Sequence, residues 1–159
     1  MLRIDRVLET ALYVEDMARA IEFYQRVFGF DVLLKSAEPD RLTALDIGGA
    51  QVLLLCRIGA SLQAVATPGG KMPPCDGSGN SHLAFPIPLS ELEAWEKHLE
   101  ENGIAIESRV RWERRGQSLY FRDPDGNLLE LATPGLSGDL LIVRTTCREN
   151  TCGGLGRTQ

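Results

Sequence analysis

The sequence predicts an α+β fold built from two copies of one strand-helix-strand-strand-strand unit. Each of two amphipathic helical segments follows one β-prone run and precedes three more, in the same order in both halves. The candidate helix caps Asp16 and Ser90 are 74 positions apart (16 to 90), and so are the candidate terminating glycines Gly29 and Gly103 (29 to 103). Because short repeats seldom close a core alone, we expect the two units to pack together or to exchange between subunits.

The first unit opens with a predicted strand over 7–14 and continues into an amphipathic helix. Asp16 is the expected N-cap, since its side chain can accept from a free backbone N–H of the first turn. Gly29 ends the helix because it tolerates the left-handed backbone of a C-terminal stop. Three β-prone runs follow, at 31–35, 41–47 and 50–56.

The second unit repeats this order from a predicted strand at 82–87. Ser90 and Glu93 have the spacing of a capping box, and Gly103 is the expected stop. The segment 123–126, Asp-Pro-Asp-Gly, has the residues of a type I turn. It joins the last two of three β-prone runs, at 104–110, 117–122 and 127–132.

These units predict one domain over residues 1–135, with modules at about 4–57 and 80–134. The segment 58–80 between them is rich in Gly and Pro and is expected to form a linker that also serves as a flap. The tail, 136–159, is compatible with an edge strand, an interface arm or disorder.

Composition narrows the class of protein. The 159 residues are 43% hydrophobic and 25% charged, which is typical of a soluble globular chain. A formal net charge of -5 argues against a nucleic-acid partner. The apolar runs are too short for a membrane span, and the charged N-terminus does not resemble a signal peptide, so we expect a cytoplasmic protein. The four cysteines have no C-x-x-C spacing and are expected to be idle thiols: Cys56, Cys75, Cys147 and Cys152.

Three residues are candidates for metal chemistry: Glu9, His82 and Glu130. Glu130 alternates with apolar residues in a core-like strand, where a carboxylate is costly unless it is paired or bound to a metal. Taken alone, each has an ordinary alternative: a solvated carboxylate at Glu130 or Glu9, and a hydrogen-bonded structural histidine at His82. Glu9 and His82 nevertheless occupy equivalent positions in the two units, so a pseudo-twofold arrangement can bring all three to one point.

Three segments resemble one family. They are ALYVEDMARAIEFYQRVFGF at 11–30, SHLAF at 81–85 and SLYFRDPDGNLLEL at 118–131. Together they resemble the vicinal oxygen chelate proteins, the glyoxalase / bleomycin resistance / dioxygenase superfamily, over roughly residues 5–134. The resemblance implies paired βαβββ modules that form a cupped half-barrel, a homodimer, and a divalent metal that chelates two vicinal oxygens of a small substrate.

The resemblance also implies a ligand set. By position, the metal ligands fall on Glu9, His82 and Glu130. Many members, including ring-cleaving dioxygenases and fosfomycin-modifying transferases, have His where Glu9 stands. The candidate ions are Mn, Ni, Zn, Mg and Fe, and one histidine with two carboxylates favours a redox-inert Lewis-acid role with one of the first four over iron and oxygen chemistry. The additional carboxylate of glyoxalase I-type members aligns with Leu54, so that ligand set is incomplete.

Two further residues have expected roles at such a site. Tyr120 is a candidate for moving a proton or orienting the substrate, although a packing role fits its strand equally well. Arg122 is a candidate for attracting an anionic substrate, with a solvated surface arginine as the alternative. The expected function is a metal-dependent enzyme of lyase, isomerase, dioxygenase or antibiotic-modifying type. The alternatives are a metal-free, drug-sequestering dimer and an inactive scaffold kept for dimerisation.

Overall fold

Each half of the chain forms a four-stranded sheet and one α-helix in the computed structural model, which describes residues 2–67, 69–113 and 116–133. The first half contains β1 (Glu9–Val14), α1 (Met17–Phe28), β2 (Val32–Lys35), β3 (Leu42–Ile47) and β4 (Gln51–Arg57). A short hairpin follows, made of β5 (Val65–Thr67) and β6 (Gly70–Met72). The second half contains β7 (His82–Pro86), α2 (Leu92–Glu101), β8 (Ser108–Arg111), β9 (Gln117–Arg122) and β10 (Leu128–Ala132).

The two large sheets have the same topology. Their strand orders are β1-β4-β3-β2 and β7-β10-β9-β8, with the first pair of each order parallel and the other pairs antiparallel. The sheets are curved and do not close into a barrel. This arrangement confirms the predicted α+β fold of paired βαβββ modules. Among the described residues the sheets are not hydrogen-bonded to each other, so β1 and β7 are edge strands.

Strand register confirms the residue equivalences predicted from the repeat. Glu9 lies opposite Val52 on β4, and His82 lies opposite Leu128 on β10. Two residues farther along, Leu54 faces Ala11 on β1, and Glu130 faces Ala84 on β7. Glu9 therefore corresponds to His82, and Leu54 corresponds to Glu130.

The first helix is capped as the sequence predicts. The Asp16 side chain accepts a hydrogen bond from the Arg19 backbone N–H at 3.0 Å. Gly29 has φ +68°, a left-handed conformation that a residue with a Cβ adopts only at a cost. The second helix differs from its prediction: no side-chain cap forms, because a 3-10 turn at Leu89–Glu91 precedes the helix and shifts its start to Leu92. The predicted Ser90/Glu93 capping box is therefore wrong.

The segment between the halves is partly structured. Besides the β5–β6 hairpin, it contains Asp76, whose carboxylate accepts from the backbone N–H groups of Gly59 and Ser61 at 3.2 and 2.9 Å. These bonds hold the end of the segment beside the end of β4, with Gly77 against the ring of Tyr13 on β1. The tail predicted at 136–159 lies outside the described residues.

Side chains from both halves meet in one apolar core. The ring of Phe28 on α1 lies 4.9 Å from that of Phe85 on β7, centroid to centroid. The buried Tyr24 hydroxyl donates to the Asp123 carboxylate across the two halves at 2.8 Å. Alternate strand residues point away from this core, and we call that side of each sheet its open face. It includes Glu9, Ala11 and Tyr13 in the first sheet and His82, Ala84, Ser118, Tyr120, Arg122 and Glu130 in the second.

Within the part of the chain that the structure describes, no helix has the length and apolar character needed to cross a bilayer.

Candidate metal site on the second sheet

Glu130 is a buried carboxylate on the open face of β10. Its neighbours along the strand, Leu129 and Leu131, point into the core and are almost completely buried. Glu130 itself is only 6% exposed, although it points away from that core. A buried carboxylate is costly unless polar groups compensate it, so its contacts define the site.

His82 provides the first of these contacts. Its Nε2 lies 3.1 Å from Oε2 of Glu130. The imidazole is half exposed, with 50% of its side-chain surface accessible, so the pair has one buried member and one that faces solvent. The parallel pairing of β7 and β10 produces this contact, because Glu130 lies beside Ala84, one step along the same face from His82.

The Ser118 hydroxyl provides the second contact to Glu130, and Trp112 in turn hydrogen-bonds to Ser118. The Ser118 hydroxyl, on the neighbouring strand β9, donates to Oε1 of Glu130 at 2.6 Å. The indole Nε1–H of Trp112, in the connection between β8 and β9, donates to that same hydroxyl at 2.9 Å. Sequence reasoning missed both residues. Strand alternation could have placed Ser118 on the face of Tyr120, but no local pattern indicates where the Trp112 side chain points.

Tyr120 lies directly across from Glu130 in the β9–β10 register. Its ring centroid is 6.1 Å from that of His82, so its side chain belongs to the same cluster. Burial raises the pKa of the Tyr120 hydroxyl, and the nearby Glu130 carboxylate raises it further. The hydroxyl therefore keeps its proton at neutral pH and can donate to an oxygen.

Arg122 shares this face but is already paired. Its Nε lies 3.2 Å from both carboxylate oxygens of Glu107, and Nη1 donates to the Gly126 carbonyl at 2.9 Å. A role in binding an anionic substrate stays a prediction, and it requires Arg122 to exchange or share its Glu107 partner.

Glu9 is not part of this cluster within one chain. It lies exposed on β1, the edge strand of the other sheet. Among the described residues, no three His, Cys, Asp or Glu side chains stand close enough together to hold a metal ion. One chain thus brings together His82 and Glu130, two of the three predicted ligands, because β1 and β7 belong to separate sheets.

The His82–Glu130 pair has the chemistry and spacing of metal ligands. An imidazole nitrogen and a carboxylate oxygen are common donors to divalent transition metals. Two donors at bond lengths of about 2.1 Å on neighbouring corners of an octahedron are about 3 Å apart. The observed separation of 3.1 Å is compatible with that spacing and is equally that of a hydrogen bond between the two groups.

Comparison with known proteins identifies the family. The model of the Glyoxalase/Bleomycin resistance protein/Dioxygenase superfamily matches residues 3–131. The chain belongs to this superfamily. Its membership confirms the resemblance that the three sequence segments carry.

Relatives within this superfamily include enzymes of several types. Metallothiol transferase FosB of Shouchella clausii is 32% identical over 135 residues, covering 84% of this chain and 83% of that protein. Catechol-2,3-dioxygenase of Bacillus subtilis is 34% identical over 121 residues, covering 76% of this chain and 38% of that protein. The crystal structure of lactoylglutathione lyase from Agrobacterium tumefaciens superposes with a TM-score of 0.76 at 33% identity, covering 85% of this chain and 98% of that one.

These names confirm the predicted range of function: a superfamily protein whose relatives are transferases, dioxygenases and lyases. They also support the prediction of an enzyme, because the named relatives are enzymes. The ligand set, the metal and the homodimer stay predictions.

Proposed function

We propose that this protein is a cytoplasmic, divalent-metal-dependent enzyme that modifies a small, oxygen-bearing molecule. His82 and Glu130 of one copy and Glu9 of a second copy are the proposed metal ligands. The observation that carries the proposal is the buried Glu130 carboxylate, whose Oε2 meets the half-exposed imidazole of His82 at 3.1 Å. A buried carboxylate facing an accessible histidine is a favourable place for a cation.

The position of Glu9 supports a site shared between two copies. β1 and β7 are edge strands, and an edge strand can pair with another chain. Glu9 and His82 each stand at the start of their strand, so a twofold dimer that sets the start of β1 of one copy beside the start of β7 of the other brings these residues close together. Val7 and Leu8, which precede β1 and are 61% and 63% exposed, would gain cover in such a dimer.

The residues around the pair have distinct proposed roles. The ion, when bound, supplies Lewis-acid polarisation of a substrate oxygen. The protonated hydroxyl of Tyr120 donates a hydrogen bond to a substrate oxygen and orients it beside His82. Arg122, at the same face, attracts an anionic group of the substrate and exchanges its contact with Glu107 for it.

The reaction that fits best is of the antibiotic-modifying, group-transfer type. The metallothiol transferases align over most of their own length, whereas the dioxygenase aligns over a minority of its length. A ligand set of one histidine and two carboxylates also favours a redox-inert Lewis-acid role for an ion such as Mn, Ni, Zn or Mg, which suits transfer better than oxidation.

Metal content is the deciding measurement. We expect the purified protein to hold close to one metal ion per site after repletion, and the variants His82→Ala and Glu130→Ala to lose it. Elemental analysis by mass spectrometry measures the ion and its stoichiometry. Glu22→Gln, which removes an exposed carboxylate from α1, is the matched control and should bind as the parent protein does.

A protein that stays metal-free after repletion with Mn, Fe, Ni and Zn would contradict the proposal. That result would favour a dimer that sequesters a small molecule without chemistry. Retention of the ion in His82→Ala and Glu130→Ala would instead show that the metal binds at another part of the molecule.

A further inference from the structure

A continuous hydrogen-bond chain ends on the proposed ligand Glu130. Trp112 Nε1–H donates to the Ser118 hydroxyl at 2.9 Å, and that hydroxyl donates to Glu130 Oε1 at 2.6 Å. On the other side of the carboxylate, Oε2 faces His82 Nε2 at 3.1 Å. The two oxygens therefore have different environments, one inside the sheet and one toward the accessible imidazole.

The chemistry of the donors fixes the direction of this chain. An indole N–H donates and cannot accept, so Trp112 must use a lone pair of the Ser118 oxygen. The hydroxyl has one proton, and the carboxylate is its acceptor. Ser118 is 1% exposed, so water does not compete for this proton. The arrangement holds Oε1 and leaves Oε2 as the oxygen available to a cation.

The repeated fold offers an internal comparison. The register positions that correspond to Glu130, Ser118 and Tyr120 in the first sheet hold Leu54, Leu42 and Ala44. The fold therefore accepts apolar residues at all three positions, and the carboxylate and its hydroxyl donor occur together in the second sheet. This pairing indicates that Ser118 serves Glu130 rather than the packing of the sheet.

We propose that Ser118 and Trp112 are positioning residues that set the orientation of Glu130 as a metal ligand through a Trp112–Ser118–Glu130 hydrogen-bond chain. The inference rests on the proposed function, because it assigns these residues a role toward the ion. Groups that orient a metal ligand in this way commonly change metal affinity by about 10- to 100-fold when they are removed.

Mn²⁺ binding to the full chain, measured by titration calorimetry, tests the inference. We expect Ser118→Ala to weaken Mn²⁺ binding by about 10- to 100-fold, and Trp112→Phe, which keeps an aromatic ring, to weaken it less. Ser118→Thr keeps the hydroxyl and should retain most of the affinity. Ser108→Ala is the matched control, since it removes an exposed hydroxyl from the neighbouring strand β8, opposite Tyr120.

Urea denaturation of the metal-free proteins separates positioning from structure. A merely structural role would lower the unfolding midpoint of Trp112→Phe without changing its Mn²⁺ affinity, and that result would overturn the inference. Equal Mn²⁺ affinity of Ser118→Ala and Ser108→Ala would also overturn it, while the proposed function would stand. A parent protein that binds no Mn²⁺ or other divalent ion would overturn both.

Discussion

At the scale of single residues, a carboxylate placed among apolar strand residues indicated the site better than the residue types alone did. Glu130 was predicted to need compensation because it alternates with apolar residues, and it is buried and hydrogen-bonded as that argument requires. The hydrogen-bond chain that compensates Glu130 could not be predicted in the same way. Ser118 reaches Glu130 through the pairing of two strands, and Trp112 reaches Ser118 from a connection, so neither contact has a signature at one position.

Tyr24 and Asp123 form another buried polar pair, and this one joins the two halves. The hydroxyl donates to Oδ2 at 2.8 Å, and the same oxygen accepts from the Asn127 side chain. Tyr24→Phe removes one donor to a buried carboxylate and should lower the free energy of unfolding at neutral pH by about 1.5–3 kcal/mol. Urea denaturation of both proteins measures the loss, and equal midpoints at pH 7 would contradict the prediction.

The same pair predicts a pH dependence of this loss. Burial, and then the Asp123 carboxylate, raises the pKa of Tyr24 well above its usual value of about 10. Above about pH 10 the unfolded chain releases the Tyr24 proton while the folded chain keeps it, so the stabilisation of the folded state falls as pH rises. The difference in the free energy of unfolding between the parent and Tyr24→Phe should therefore have its full value below about pH 10 and decrease at higher pH.

At the scale of elements, predictions were best where residues repeat along one strand or helix. The capped helix from Asp16 to Gly29 and the strand at 117–122 were found from local spacing alone. The start of α2 was missed because a 3-10 turn uses the same first-turn residues as a capping box. The β5–β6 hairpin was missed because its strands are three residues each, too short to show a period.

The segment before β7 should depend on one glycine. A Cβ at residue 77 would overlap the ring of Tyr13, whereas a Cβ at Gly69, in the β5–β6 turn, meets open space. Because Asp76 is tied to Gly59 and Ser61, the segment cannot easily move away. Gly77→Ala should therefore destabilise the protein by about 1–3 kcal/mol, and Gly69→Ala by less than about 0.5 kcal/mol. Urea denaturation compares the two variants. Equal stability of Gly77→Ala and Gly69→Ala would contradict the prediction, because it would show that the Tyr13 ring moves away from the new Cβ without an energetic cost.

At the scale of the whole molecule, the repeat predicted which residues correspond but not which sheet edges meet. Glu9 and His82 have equivalent register positions, yet they lie on the edges of separate sheets within one chain. Local patterns specify a strand and its faces, whereas the pairing of two edges depends on surfaces that involve the whole fold. The complete ligand set was therefore beyond what the sequence could assign to one chain.

A site shared between copies predicts rescue between two defective chains. Glu9→Ala retains His82 and Glu130, and His82→Ala retains Glu9, so a mixed dimer would contain one intact site. When the two variants are unfolded together and refolded in equal amounts, random pairing should restore about a quarter of the parent's bound metal. His82→Ala mixed with Glu130→Ala is the matched control: both changes affect the same sheet, so every mixed site remains defective. Metal analysis of the refolded dimers and of each variant alone distinguishes the cases. A site that needs Glu9 of a second copy leaves each variant alone without metal, whereas a site built from His82 and Glu130 of one chain would leave Glu9→Ala loaded on its own and the mixture with about half of the parent's metal.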